Sequence, residues 1–307
     1  MTPLVLATAL TKTYGTRDVL RALDLAVAPG SRFVVLGHNG AGKSTLLEII
    51  ATLRTPTSGS VRVGGFDTVT QARDARRLIG LAPQSNALDP LATPAEVLDF
   101  HGVALGLGRR RRAQRTRELI DLFGLGEHRS SRVAELSGGT RRKLDLAVAL
   151  VAEPAVVILD EPTTGLDPLA RIDFWAELTR LNHCGTSLLI STQDLHEADV
   201  LATEIAMLRE GRVVAQGSPA SLKQRVGART LTLDMSGAAA ATALAAASEA
   251  GFRADPGHPD RVRLSVPDDP RALARALAEA GDAAAHITRL QLAEPSLDDV
   301  FVALAAR

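Results

Sequence analysis

A glycine-rich loop between an apolar segment and a helical segment constrains the fold of this chain most. The apolar segment at residues 33–36 predicts a buried strand, and the segment at residues 46–50 predicts a helix. A strand, a glycine-rich loop ending in Gly-Lys-Ser and a helix, in this order, are typical of a phosphate-binding loop. The predicted loop consists of Gly37, His38, Asn39, Gly40, Ala41, Gly42, Lys43, Ser44 and Thr45.

The residue types of this loop suit the binding of a nucleotide phosphate. Glycines allow backbone N–H groups to turn toward an anion, and the helix N-terminus adds partial positive charge. We expect Lys43 to reach the β- and γ-phosphates and the Ser44 hydroxyl to bind Mg²⁺. Because the chain contains only four lysines, a lysine at the position that the motif requires is a specific signal.

Composition restricts the class of protein further. The 307 residues are enough for one large domain or two unequal ones. The 35 basic residues balance the 35 acidic ones, so nucleic acid is not predicted as a partner. Cys184 is the only cysteine, which excludes an internal disulfide. Because we find neither a long apolar segment nor a signal-peptide pattern, we expect a soluble, cytosolic chain.

Two further residues are candidates for nucleotide contacts. Tyr14, the only tyrosine, lies at a predicted turn, where its ring is either an ordinary turn aromatic or a platform for a nucleobase. The phosphate loop that follows favours the platform. Gln84 lies where an apolar segment beginning at Leu78 ends, and its amide is predicted to bind Mg²⁺ or to position water, the alternative being a surface glutamine.

A second anion-binding loop is predicted before the helix at residues 141–150. Ser137, Gly138 and Gly139 precede this helix, and they form either an anion site or a simple helix cap. One loop cannot surround both faces of a γ-phosphate. We therefore expect that a second copy of the chain supplies its loop to close the site.

Two carboxylates follow the apolar strand predicted at residues 155–159. Asp160 is predicted to act on Mg²⁺ through water, and Glu161 to orient or deprotonate the attacking water. General-base assistance of this kind contributes roughly 10²–10⁴ in rate. The alternative, two acidic residues without a role, fits poorly with the phosphate loop upstream.

Taken in order, these motifs resemble those of the ATP-binding cassette (ABC) ATPases over roughly residues 3–224. The family elements are assigned by position: the phosphate loop at 37–45, the Q-loop at Gln84, the signature loop at 136–140, the Walker B strand with Asp160 and Glu161 at 156–161, and the D-loop with Asp167 at 165–167.

The resemblance implies a fold, cofactors and an assembly. It implies an α/β P-loop NTPase fold with a mixed core sheet, an antiparallel β subdomain and a helical subdomain at about residues 85–153, within a nucleotide-binding domain at 1–224. ATP and Mg²⁺ are the implied cofactors. Two copies are expected to pair head to tail, with each ATP between the phosphate loop of one copy and the signature loop of the other.

Two positions depart from the family pattern. Thr140 ends the signature where glutamine is usual, and Gln193 stands in place of the switch histidine. Gln193 is expected to act in catalysis, but it carries no charge, and losing a charge-assisted contact to the γ-phosphate costs on the order of 1 kcal/mol. His196 is expected to lie on a helix surface. Because Glu161 is present, we still expect hydrolysis, at a reduced rate.

The signature segment at 137–147 and Gln193 resemble the daunorubicin-resistance branch of drug-export ATPases. Residues 228–307 alternate short apolar runs with alanine-rich helices, which predicts a small α+β domain, and the segment at 294–301 is similar to the ending of that branch.

The branch implies an ATPase on the cytoplasmic face of the membrane that powers an exporter. Its expected partner is an integral permease of the ABC-2 type that binds a hydrophobic drug or natural product. Two alternatives stay open: a soluble cassette ATPase acting on ribosomes or DNA, and a nucleotide-binding regulator that does not turn over.

Overall fold

The computed structural model describes residues 2–83, 88–226, 228–247, 252–255, 257–267, 270–293 and 295–305. The chain divides into two compact units, Met1–Pro219 and Ala220–Arg307. The predicted Q-loop residue Gln84 lies outside the described residues.

Two sheets and their helices form the first unit. Its strands are β1 (Val5–Tyr14), β2 (Arg17–Val27), β3 (Arg32–Leu36), β4 (Ser58–Val63), β5 (Phe66–Asp67), β6 (Ile79–Ala82), β7 (Val156–Asp160), β8 (Ser187–Thr192), β9 (Glu204–Arg209) and β10 (Arg212–Gly217). The helices are α1 (Lys43–Ile50), α2 (Ala72–Arg76), α3 (Pro94–Ala104), α4 (Arg109–Leu122), α5 (Gly138–Ala149), α6 (Pro168–His183) and α7 (Leu195–Leu201), with α8 (Pro219–Val226) at the boundary.

The larger sheet has the strand order β10-β9-β3-β8-β7-β6. Its pairings are parallel except that of β10 with β9, so the sheet is mixed. Strands β3, β7 and β8 are buried almost throughout, which explains their near-continuous apolar sequences. The smaller sheet, β2-β1-β4-β5, is antiparallel.

The register of the parallel strands brings three chain segments to one edge of the larger sheet. Leu36 at the end of β3 pairs with Thr192 at the end of β8, and Asp160 at the end of β7 pairs with Ser191. The segments that leave these strands therefore begin side by side. Ligands of parallel α/β sheets bind at this carboxyl edge.

Helices α3, α4 and α5 lie in the range predicted for the helical subdomain. Thr93 caps α3: its side chain accepts a hydrogen bond from the Glu96 N–H, and the Glu96 carboxylate accepts one from the Thr93 N–H at 2.8 Å. The Thr93 N–H and the Thr93 hydroxyl both donate to the Glu96 carboxylate, and these bonds lower the pKa of Glu96 because they stabilise its charged form.

The second unit is a four-stranded antiparallel sheet with helices. Its strands are β11 (Ala228–Met235), β12 (Arg253–Asp255), β13 (His258–Pro267) and β14 (Ile287–Ala293), in the order β12-β13-β11-β14. Its helices are α9 (Ala238–Ala247), α10 (Pro270–Glu279) and α11 (Leu297–Ala305). Leu231, Leu233 and Val262 are fully buried in its core. In the described part of the chain, no helix is both long and apolar enough to cross a membrane.

Gly80 in β6 permits a close approach between this strand and the end of α5. A Cβ atom at this position would lie 2.1 Å from the Ala149 carbonyl oxygen and 2.9 Å from Pro154. Because a backbone carbonyl cannot move aside as a flexible side chain does, we predict that Gly80→Ala lowers the free energy of unfolding by about 1–3 kcal/mol.

Urea denaturation of the full chain measures this loss. Gly126→Ala is the matched control, because a Cβ there would meet nothing within 4 Å. We expect its unfolding free energy to stay within about 0.5 kcal/mol of the wild type. Equal stabilities of the two variants would contradict the packing argument.

Candidate functional site

The phosphate loop is fixed to the surrounding backbone at its start and at its middle. The Gly37 N–H donates to the Thr192 carbonyl oxygen at 3.2 Å, which ties the start of the loop to β8. The Gly211 N–H, in the turn between β9 and β10, donates to the Ala41 carbonyl oxygen at 3.1 Å. The loop therefore has its shape before any ligand arrives.

Two loop positions leave no room for a side chain. A Cβ atom on Gly37 would lie 2.4 Å from the Leu208 carbonyl oxygen. Gly42 has a φ of +107°, and a Cβ atom there would lie 2.8 Å from the Val19 carbonyl oxygen. Glycine is thus required at both positions for steric reasons, and at Gly42 for conformational reasons as well.

Lys43 is buried and surrounded by oxygen atoms. Only 4 % of the residue is exposed. Its Nζ donates to the carbonyl oxygens of Gly37 at 2.8 Å and His38 at 3.2 Å, and it lies 3.3 Å from Oε1 of Glu161. The ammonium group of the phosphate loop is therefore paired with the carboxylate predicted to activate water.

Glu161 lies directly after β7 in a left-handed backbone conformation, with a φ of +44°. A non-glycine residue in this region costs about 1 kcal/mol or more. Its N–H donates to both the carbonyl oxygen and the hydroxyl of Ser191, each at 3.1 Å, and the same hydroxyl donates to Asp160. Strand β8 thus holds the Asp160 carboxylate and the Glu161 backbone in position.

A cleft of about 450 Å³ lies over the phosphate loop. The residues that line it come from the β1–β2 hairpin, the loop and the end of β7: Arg17, Val19, Asn39, Gly40, Gly42, Lys43, Ser44, Thr45 and Glu161. The structure therefore brings Lys43, Ser44 and Glu161 together in one cleft. Arg17 and Val19 are the lining residues that sequence reasoning missed, since no motif includes them.

The donor set near the cleft suits a hard cation that arrives with a phosphate ligand. In the described ranges, no group of three or more His, Cys, Asp or Glu side chains forms a metal cluster of its own. Mg²⁺ is commonly bound by one or two protein oxygens together with waters and substrate phosphates. The hydroxyl of Ser44 and the carboxylate of Asp160 fit this pattern.

Arg142 links three segments of the first unit, one of which carries Glu161. Its guanidinium donates to the carbonyl oxygens of Pro83 at 3.0 Å, Glu161 at 3.2 Å and Pro162 at 2.6 Å, and it lies 3.6 Å from the Asp145 carboxylate. Burial lowers the pKa of Arg142, and Asp145 opposes this effect. The residue thereby joins α5 to the ends of β6 and β7.

The predicted signature loop caps its own helix. Ser137 is the N-cap of α5: its Oγ accepts from the Thr140 N–H at 3.1 Å and lies 2.9 Å from the Thr140 hydroxyl. A Cβ atom on Gly139 would lie 3.3 Å from the Cβ of Ala170, near the start of α6. Asp167 caps that helix by accepting from the Ala170 N–H at 2.9 Å.

The signature loop and the cleft are separate within one chain. No residue of 136–140 is among the described residues that line the cleft. Tyr14 and Gln193 are not among them either. Tyr14, 39 % exposed, has Lys12 Nζ 5.1 Å and Arg54 Cζ 5.7 Å from its ring centroid. Gln193 is exposed directly after β8.

Two family models match the sequence. The model described as "ABC transporter" matches residues 20–164, and the model described as "ATP-binding protein DrrA1-3-like, C-terminal domain" matches residues 217–305.

Relatives with similar sequences cover almost the whole chain. The daunorubicin/doxorubicin resistance ATP-binding protein DrrA of Streptomyces peucetius is 40% identical over 300 residues, which are 96% of this chain and 90% of that protein. Doxorubicin resistance ATP-binding protein DrrA of Mycobacterium tuberculosis is 34% identical over 98% of this chain and 93% of its own. The Nod factor export ATP-binding protein I of Paraburkholderia xenovorans is 40% identical over 69% of each chain.

Solved structures share the fold of the first unit. The ATP-binding subunit of an ABC transporter superposes with a TM-score of 0.65 at 29% identity, covering 73% of this chain and 93% of that one. A dimeric cassette in a post-hydrolysis state with ADP and phosphate superposes with a TM-score of 0.63 at 27% identity, covering 70% and 98%. These findings confirm the predicted fold class and the resemblance to the drug-resistance branch.

The bonds of Arg142 generate a stability prediction. Arg142→Gln removes a buried cation that serves three carbonyl oxygens and Asp145, and such losses cost about 3 kcal/mol or more. For a unit of this size, we expect the midpoint of thermal unfolding to fall by about 6–12 °C. Lys143→Gln, at the next position of α5, is the control and should shift the midpoint by about 2 °C or less. If Arg142→Gln and Lys143→Gln had equal midpoints of thermal unfolding, Arg142 would not hold these segments together.

Proposed function

Since this chain belongs to the family of ABC transporter ATP-binding proteins, we propose that it hydrolyses ATP to power export through a separate membrane permease. The observation that carries this proposal is the cleft that joins Lys43, Ser44 and Glu161 over a preformed phosphate loop. We also propose the domain limits 1–224, with a helical subdomain at about 85–153, and 228–307.

The site residues predicted from the sequence have proposed roles toward ATP. The N–H groups of residues 37–45 bind the phosphates, and Lys43 neutralises charge on the β- and γ-phosphates. Ser44, Gln84 and, through a water molecule, Asp160 would hold Mg²⁺. The ion would further neutralise the negative charge of the phosphate oxygens. Tyr14 stacks on the adenine, with Lys12 and Arg54 beside its ring.

Hydrolysis requires that Glu161 act on water while Lys43 acts on phosphate. Without nucleotide the two side chains pair with each other at 3.3 Å. An arriving γ-phosphate competes for Lys43 and so leaves the Glu161 carboxylate for the attacking water. As the water oxygen bonds to phosphorus, the bond to the ADP oxygen breaks and Glu161 takes the water proton. Gln193 contributes a neutral hydrogen bond to the γ-phosphate.

A second copy of the chain completes the proposed site. Ser137, Gly138 and Gly139 of the partner would bind the γ-phosphate, with Asp167 beside them at the junction. This arrangement agrees with the separation of signature loop and cleft within one chain.

The exporter proposal includes a place and a cargo. We propose that the dimer binds the cytoplasmic side of an integral permease of the ABC-2 type. The names of the relatives refer to daunorubicin and doxorubicin resistance and to Nod factor export. A hydrophobic drug or natural product, bound by the permease, is therefore the proposed cargo.

One alternative is favoured by a specific observation. Gln193 in place of a switch histidine is consistent with a nucleotide-binding regulator that does not turn over. A cassette acting on ribosomes or DNA has less support, because the net charge is zero.

Glu161→Gln separates the enzyme from the regulator. We predict that this variant lowers the turnover number for ATP at least about 100-fold, because the amide cannot accept the water proton. Nucleotide binding should persist, and at saturating ATP and Mg²⁺ the variant should sediment as a dimer. Phosphate release and analytical ultracentrifugation measure the two effects.

Glu127→Gln, at an exposed position outside the cleft, is the matched control and should hydrolyse ATP as the wild type does. Equal, slow hydrolysis by wild type and Glu161→Gln would favour the regulator. A monomer at saturating ATP, with permease-containing membranes also present, would contradict the two-chain site.

Gln193→His tests whether the missing histidine slows turnover. Restoring a charge-assisted contact worth about 1 kcal/mol should raise the turnover number about fivefold, measured by phosphate release at saturating ATP. His196→Gln alters the nearby histidine, whose ring packs against Trp175 at 5.4 Å, and should leave turnover unchanged. A turnover number that does not rise in Gln193→His would remove Gln193 as the cause of slow hydrolysis.

A further inference from the structure

We propose that Arg17 binds the phosphate groups of the nucleotide from the β1–β2 hairpin and thereby increases the affinity for ATP and ADP. This inference rests on the proposed function, because it concerns the same nucleotide site. It adds a cationic contact from outside the phosphate loop, at a position that belongs to none of the motifs described above.

The position of Arg17 is the first argument. Its side chain lines the same cleft as Lys43, Ser44 and Glu161. The guanidinium Nη2 lies 3.9 Å from the point that a Cβ atom on Gly40 would occupy, so it lies beside the phosphate-loop backbone. A phosphate bound by the N–H groups of that loop would lie within reach of an arginine side chain.

The charge balance of the cleft is the second argument. The Lys43 ammonium is already paired with Glu161 at 3.3 Å. The side chain of Arg17 is exposed and makes neither a hydrogen bond nor an ion pair with any residue that the structure describes. The neighbouring carboxylate of Asp18 instead accepts a hydrogen bond from the Thr13 hydroxyl at 2.8 Å. Arg17 therefore supplies the uncompensated positive charge among the described lining residues.

The register of the hairpin is the third argument. Tyr14 and Arg17 are directly paired across β1 and β2, and paired residues project from the same face of a sheet. One side of the hairpin thus presents both an aromatic ring and a guanidinium. This pair matches the two ends of a nucleotide, since the ring suits a base and the guanidinium forms a planar fork for phosphate oxygens.

An unpaired surface arginine is common, so the proposal needs a comparison within the same strand. Arg21 is also exposed and also lies on β2, but it does not line the cleft. A general effect of surface charge would appear in variants of both arginines. A direct phosphate contact would appear only in variants of Arg17.

Isothermal titration calorimetry of the full chain with Mg²⁺–ADP tests the proposal. At low salt, Arg17→Gln should raise the Kd about tenfold, the size expected when one charge-assisted hydrogen bond is lost. Arg21→Gln should stay within about twofold of the wild type, because a distant charge is screened. At about 0.5 M salt, the difference between Arg17→Gln and the wild type should shrink. Unchanged thermal unfolding midpoints exclude misfolding of either variant.

The outcomes distinguish this inference from the proposed function. If Arg17→Gln binds ADP as tightly as the wild type, or if Arg21→Gln loses as much affinity, Arg17 is not a phosphate contact. The ATPase proposal then stands unchanged. If the wild-type chain itself fails to bind ADP, the proposed function fails, and the inference about Arg17 fails with it.

Discussion

The pairing of a buried ammonium group with oxygen atoms determines the geometry of the whole site. An unpaired charge in the interior costs several kcal/mol, so Lys43 is tolerated only because two backbone carbonyls and Glu161 surround it. These contacts join the phosphate loop after β3 to the end of β7. A ligand that offers Lys43 stronger acceptors therefore alters the contacts of both segments at once. Phosphate binding is thereby coupled to whether the Glu161 carboxylate is paired with Lys43.

The parallel sheet supplies the rigid frame for this coupling. Strands β3, β8 and β7 are adjacent and buried, and the pairing of Leu36 with Thr192 and of Asp160 with Ser191 fixes where each loop begins. Ser191 then connects two of the strands through bonds to Asp160 and Glu161. The left-handed conformation of Glu161 is maintained by these bonds, since its intrinsic preference opposes it.

Local patterns predicted the elements of the fold, and long-range contacts account for what they missed. A signature of about ten residues or fewer marks each of three features: the loop at 37–45, the strand before it and the carboxylates at the end of β7. The local sequence was therefore enough to predict these features. The cleft position of Arg17 depends on a hairpin pairing and on the approach of β2 to a loop twenty residues away. The Arg142 bonds likewise join segments 59, 20 and 19 residues apart. Contacts between such distant segments leave no periodic pattern in the sequence from which they could be predicted.

Thr140, the departure in the signature loop, has a physical consequence for the proposed two-chain site. The Ser137 oxygen already accepts from the Thr140 N–H, and the two hydroxyls share a further hydrogen bond at 2.9 Å. When the Ser137 proton turns to a phosphate oxygen of the partner's nucleotide, the Thr140 hydroxyl can donate to the Ser137 oxygen. Hydrogen bonds in such a chain polarise one another and strengthen. The hydroxyl of Thr140 therefore supports Ser137 in the proposed contact with phosphate.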